Sequence, residues 1–269
     1  MKGRKQTYYP TILGAVHLVV LYLFIQTVVD FPLAVWDYYR GTDYLANPVK
    51  NILLQLGSIF FILYYGYRQA NTRLKELFPL KRVNLLLLLP VTMFLAAAHI
   101  FLDEINREVE QLLPPPLWFL ELFSRIFEND LGLTGTFLKV VIVAPVVEES
   151  IFRGILMHGF MRNYSKSTSI VVSALLFALF HLNPWQFPAT FLLGMLLGWL
   201  MVIGRNLPVC IAGHAINNLL VLLSIQYWEP LQQSSFYRLD HATQLHISYA
   251  VSILSLTLIG LYAWKKRKI

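Results

Sequence analysis

Charge is scarce in this sequence. Only 14% of its 269 residues are Asp, Glu, Lys or Arg, against roughly a quarter in ordinary soluble domains. Hydrophobic residues make up 57%, and the mean hydropathy is +0.56. Such a surface is not built for water, which excludes a soluble enzyme, a nucleic-acid binder and a disordered regulator. Cysteine is nearly absent. Cys210 stands alone, so it cannot form an internal disulfide and cannot by itself supply a structural zinc site. There is no internal repeat and no low-complexity tract.

What the sequence has instead is long apolar runs. About 20 apolar residues at 1.5 Å each cross the hydrocarbon core of a bilayer. Eight segments are candidates: Thr11–Val29, Asn51–Gly66, Val83–Leu102, Phe137–Met161, Thr168–Leu182, Phe187–Ile203, Leu207–Tyr227 and His246–Trp264. The expected fold is therefore an all-α, polytopic membrane helical bundle of about eight transmembrane helices. It divides into N-terminal helices with an interfacial loop (1–136), a helical core (137–225) and a C-terminal loop and helix (226–269), all in one structural unit.

The few charges set an orientation. With the N-terminus inside and the spans alternating, the inside segments hold fifteen basic residues, from Lys2 through Lys81, Arg82, Lys166 and Lys268, against the single acid Glu76. The outside segments hold five basic residues and twelve acids. This is the positive-inside pattern. It predicts an integral, multi-pass membrane protein with both termini cytoplasmic, and it accounts for a net charge of +7 without nucleic acid. The end Lys265–Lys268 reads as a topology anchor at anionic lipid.

The longest connection is about Asp103–Thr136. An acidic helical stretch, Asp103–Glu110, is followed by the stiff break Pro114-Pro115-Pro116. Then Leu117, Leu120, Phe123 and Phe127 recur at helical spacing, with Glu121, Ser124 and Arg125 between them. That pattern suits a short amphipathic helix in the interface or an ordinary packed loop helix. Gly194 and Gly198 have the spacing of a close helix–helix contact.

Ionisable side chains inside a membrane are expensive and usually mark function. Here they concentrate in three spans. Glu149 and Arg153 are four apart in the fourth span and can pair on one helix face. Glu148 points about 100° away and gains nothing from that pair. A desolvated carboxylate beside a like charge is tuned upward, toward general-base work. His181 ends the fifth span in Phe177-Ala178-Leu179-Phe180-His181. His214 and Asn218, four apart in the seventh, share a face. By depth the three segments can bring Glu148, His181, His214 and Asn218 together. A carboxylate, two imidazoles and an amide form a hydrolytic set. His17, Gln26, His99 and His158 stand alone and read as interfacial or helix-contact residues.

This ordered trio resembles the CAAX-protease and bacteriocin-processing family (CPBP, or Abi), which includes the CAAX prenyl endopeptidases. The family pattern is EExxxR, FxxxH and HxxxN or HxxxD on separate membrane helices. It stands here as Glu148-Glu149…Arg153, Phe177…His181 and His214…Asn218, within about Phe137–Leu222. The resemblance implies that Glu148 and His181 activate a water molecule and that His214 and Asn218 form the oxyanion hole. Glu149 and Arg153 would be supports, and Phe177 would shape the pocket. It implies an intramembrane endopeptidase with no cofactor and no metal, although two His and one Glu would also suit zinc. The expected partners are the lipid bilayer and a membrane-associated peptide or protein substrate, prenylated or not. Two other readings stay open: a catalytically silent immunity or scaffold protein, and a proton-coupled transporter using Glu148 and the histidines as a relay.

Overall fold

The structure is a computed structural model that describes residues 7–42, 44–45, 47–124 and 132–267. Among them every regular element is helical. Eight helical runs build the bundle. They are α1 (Ile12–Arg40), α2 (Pro48–Ala70), α3 (Leu85–Leu112), a composite α4 over 132–163, α5 (Lys166–Phe180), α6 (Phe187–Gly204), α7 (Leu207–Gln226) and α8 (His241–Arg267).

The runs fall where the apolar segments were expected. Six of them, α1, α2, α3, α6, α7 and α8, are long and apolar enough to cross a membrane. The chain is an all-α polytopic membrane bundle. α5 has only 15 residues. α4 is not one regular helix. It alternates α-helix (Gly132–Thr136), π-helix (Phe137–Val143), α-helix (Ala144–Glu149), π-helix (Ser150–Leu156) and α-helix (Met157–Asn163). The acidic stretch Asp103–Glu110 is not a separate loop element, because α3 runs through it to Leu112.

Local chemistry explains the ends. Thr11, Asn47, Asn84 and Ser165 accept backbone N–H bonds at the starts of α1, α2, α3 and α5, which satisfies donors that a helix start leaves free. α1 stops at Gly41, whose φ of 63° is left-handed, a conformation glycine adopts without a Cβ penalty. The short helix expected after the proline run is present as Leu117–Ser124. Leu117 and Trp118 are exposed, and Phe119 packs against Trp185, with ring centroids 4.2 Å apart. The side chains of Phe123, Arg125 and Phe127 fall outside what the structure describes.

Much of the apolar surface faces outward. Leu13, Phe24, Phe60, Leu89 and Ile253 are each more than half exposed, as helices solvated by lipid tails should be. With no hydrophobic drive between helices, close packing and polar contacts hold the bundle. α5 and α6 meet at Gly194, where a Cβ would lie 2.8 Å from the Ala174 Cα. α8 lies along α3, where Ser248 Oγ donates to the Ala97 carbonyl at 2.6 Å. Asn163 donates to the Tyr8 carbonyl and accepts from its N–H, pinning the N-terminal segment to the end of α4. His158 bonds the Glu76 carbonyl through Nδ1 at 3.2 Å, and His17 packs edge-on against Tyr65. Both serve helix contacts.

Candidate functional site

The site is centred on α4, where Glu149 closes an α-helical stretch and Ser150 opens a π-helical one. Glu149 and Arg153 are both fully buried and pair at 3.1 Å through Glu149 Oε1 and Arg153 Nη1. Arg153 also donates from Nη2 to the Gly194 carbonyl at 3.1 Å. Its guanidinium carbon lies 4.6 Å from the centre of the Phe177 ring, a cation–π contact. A buried charge needs such compensation from several sides, because desolvating it costs several kcal/mol.

The same carboxylate oxygen holds His214. His214 Nδ1 lies 2.9 Å from Glu149 Oε1, and the His214 side chain is 2% exposed. An ionised carboxylate only accepts, so His214 carries its proton on Nδ1. Arg153, Glu149 and His214 thus form a dry inner layer that ties α4 to α6 and α7.

Glu148 and His181 form a second, wetter layer, with side chains 16% and 23% exposed. The His181 backbone N–H turns to the Ala178 carbonyl at 3.3 Å, because α5 ends there. That frees the Phe177 carbonyl, which accepts from His181 Nδ1 at 2.8 Å. A carbonyl cannot donate, so Nδ1 bears a hydrogen, and in the neutral ring Nε2 presents its lone pair. That lone pair faces Glu148 Oε2 across 3.9 Å. Oε2 is buried and accepts no hydrogen bond. The gap is too long for a direct hydrogen bond. Two acceptors therefore confront each other across a space that one small molecule with two hydrogens can bridge.

Phe177 joins the layers. It is fully buried, and its ring lies 4.9 Å from His181 and 5.5 Å from His214, both edge-on. Its carbonyl sets the His181 tautomer while its ring carries Arg153.

Asn218 takes an unforeseen partner. Within the first π stretch the Ala144 N–H reaches back five residues to the Lys139 carbonyl. The next donor in that register would be Pro145, which has no N–H. The Val140 carbonyl receives Asn218 Nδ2 instead, at 2.9 Å. One amide hydrogen of Asn218 is thereby committed to α4 and one remains. Asn218 Oδ1 accepts from Asn217.

Sequence reasoning missed Tyr22. It comes from α1, is 3% exposed and stacks on Phe180 with centroids 5.8 Å apart and planes 7° from parallel. Glu148 lies within its electrostatic reach, as does Asp30. Asp30 accepts from Gln55 at 2.6 Å, and Gln55 accepts from Ser58, a second polar group near the outer end of α1. A lone tyrosine in an apolar span carries no motif; only the packing of α1 on α5 brings it to the site. Among the described residues no group of three or more His, Cys, Asp or Glu is placed to hold a metal ion.

The model of one known family matches this region: type II CAAX prenyl endopeptidase Rce1-like, over residues 130–220. All three motifs lie in that stretch. The match bears out the resemblance read from them. Neither the curated proteins nor the solved structures give a match to this chain.

Proposed function

We propose that this protein is an endopeptidase that cuts membrane-associated peptides or protein tails with a water molecule activated by Glu148 and His181. One observation carries the reading: the opposed acceptors Glu148 Oε2 and His181 Nε2, 3.9 Å apart. A water between them gives one hydrogen to each and keeps a lone pair for attack. Glu148 takes the proton as the oxygen adds to the scissile carbonyl, and later returns it to the leaving amine.

The tetrahedral oxyanion needs fixed donors. The remaining amide hydrogen of Asn218 is one. His214 is the other, and donation from its Nε2 requires the imidazolium, since Nδ1–H is already given to Glu149. Glu149 is then the counter-ion that keeps a charged imidazole in a dry site. Arg153 holds Glu149, and Phe177 spaces the two histidines. Tyr22 closes the site from α1. No step in this scheme uses a metal ion.

The positive-inside pattern supports a topology with both termini and the nearer mouth of the site on the cytoplasmic side. The substrate is a tail presented at that membrane face. The test is cleavage of a synthetic CAAX-type tail, farnesylated and unmodified, by purified wild type and by His181→Ala. Wild-type cleavage of either peptide, lost in the variant, supports the reading. Equal cleavage by both proteins contradicts it.

A further inference from the structure

We propose that a cleft at the basic end of the bundle, between segment 79–84 and the ends of α6, α7 and α8, binds the phosphate headgroup of an anionic phospholipid. The cavity volume of the cleft is about 70 Å³. Lys81, Arg82 and Lys266 line it, together with Leu87, Leu200 and Val209. The three apolar residues are each at most 5% exposed, so they form a fixed wall. A second cleft adjoins it, shares Lys266 and adds Lys166. No carboxylate lines either one.

The wall of cations is built, not draped. Asn206 is 6% exposed. Its Oδ1 accepts the Lys81 N–H at 3.3 Å and its Nδ2 donates to the Arg82 carbonyl at 3.0 Å. The Leu207 N–H bonds the Pro79 carbonyl at 2.9 Å. Segment 79–84 is thereby clamped to the start of α7. Lys81 Nζ donates to the Gly204 carbonyl at 3.1 Å, which still leaves it two hydrogens. Lys266 lies over the Tyr262 ring at 5.9 Å. Like charges gathered without an acid repel each other, and an anion among them relieves that repulsion. The N-terminal end of α7 adds a partial positive charge.

The shape selects the source of the anion. A free phosphate has no use for a wall of buried leucine and valine. A phospholipid places its phosphate among the cations and its glycerol and upper chains against that wall. The cleft also lies at the ends of helices long and apolar enough to cross a membrane, the position at which basic pockets between helices hold acidic lipids. A topology anchor needs only the number of positive charges on a side; it does not need them clamped around one cleft.

The test is native mass spectrometry of the purified full-length protein with added phosphatidylglycerol or phosphatidylcholine. One phosphatidylglycerol should be retained in preference to phosphatidylcholine. Lys81→Gln/Arg82→Gln/Lys266→Gln should weaken retention about tenfold or more. Arg73→Gln/Lys75→Gln, which changes basic residues outside the cleft, should leave it unchanged. Arg82→Gln alone, at an exposed residue, should weaken it several-fold and serves if the triple variant does not fold. Unchanged retention in the cleft variants overturns the site. An equal loss in the Arg73/Lys75 control reduces it to diffuse surface charge. Displacement of the lipid by millimolar inorganic phosphate overturns the lipid in favour of a free anion.

Discussion

Asn218 donates to the Val140 carbonyl across 2.9 Å, and Pro145 is the reason that carbonyl is open. The proposed function gives this one side chain two duties: it closes a backbone gap in α4 and offers its second amide hydrogen to the oxyanion. The duties can be separated. Asn218→Ala should lose stability by about 1 kcal/mol, the low end of the cost of an unpaired carbonyl, because the contact is part-buried, and should lose activity. Adding Pro145→Ala restores a backbone N–H near Val140. The double variant should regain thermal stability without regaining activity. Activity that returns together with stability would show that Asn218 acts only on structure.

Arg153→Ala should lower the amount of folded protein in the membrane. It leaves Glu149 charged and half-satisfied and the Gly194 carbonyl without its side-chain donor, a loss of about 3–5 kcal/mol for a broken buried pair. Glu149→Gln/Arg153→Met, which removes both charges, should be less damaging to folding than Arg153→Ala. Thermal unfolding in detergent is the measurement, and an Arg153→Ala variant as stable as wild type would contradict the pairing.

Tyr22→Phe keeps the stack on Phe180 and removes only the hydroxyl. The expected result is an unchanged melting temperature and KM, with kcat reduced roughly tenfold, less than the about 10²–10⁴-fold that a positioned general acid or base contributes. Tyr22→Leu should also lower the melting temperature. Unchanged kcat in Tyr22→Phe would remove the hydroxyl from the account.

Glu76 lies outside the spans. The hydrogen bonds from Thr72 and Arg162 hold its carboxyl below the usual value. A depressed carboxylate stabilises the fold above its unfolded pKa, and that contribution disappears as pH falls through the lower, folded value. Glu76→Gln should therefore remove that small contribution at neutral pH and flatten the loss of stability in acidic solution, where the two proteins converge. The effect is small because the pair, 2.8 Å apart, is solvent-exposed. A wild-type acid limb identical to that of Glu76→Gln would contradict it.

Much of the architecture was legible in the sequence. The apolar runs mark the helices, and the four-residue spacing of Glu149 and Arg153 marks their contact, present at 3.1 Å. The π-helical register of α4 was not legible, because five-residue and four-residue ladders leave similar apolar patterns. The bond of Asn218 to Val140 follows from that register and was hidden with it. The tautomers of His181 and His214 depend on which acceptor each Nδ1 meets, a tertiary fact. His214 on Glu149 is such a case: the spacing gave Glu149 only Arg153. α1 ran eleven residues beyond the expected Val29, since its outer turns carry Asp30, Asp37 and Arg40 and fall below any apolar threshold.

The central claim is that Glu148 activates the water that cuts a peptide bond. The direct test compares the termini of membrane peptides, by quantitative mass spectrometry, in cells carrying wild type and cells carrying Glu148→Gln at equal protein level. The account predicts a set of new termini that depends on Glu148 and names the substrate. Identical termini in the two cells would contradict it.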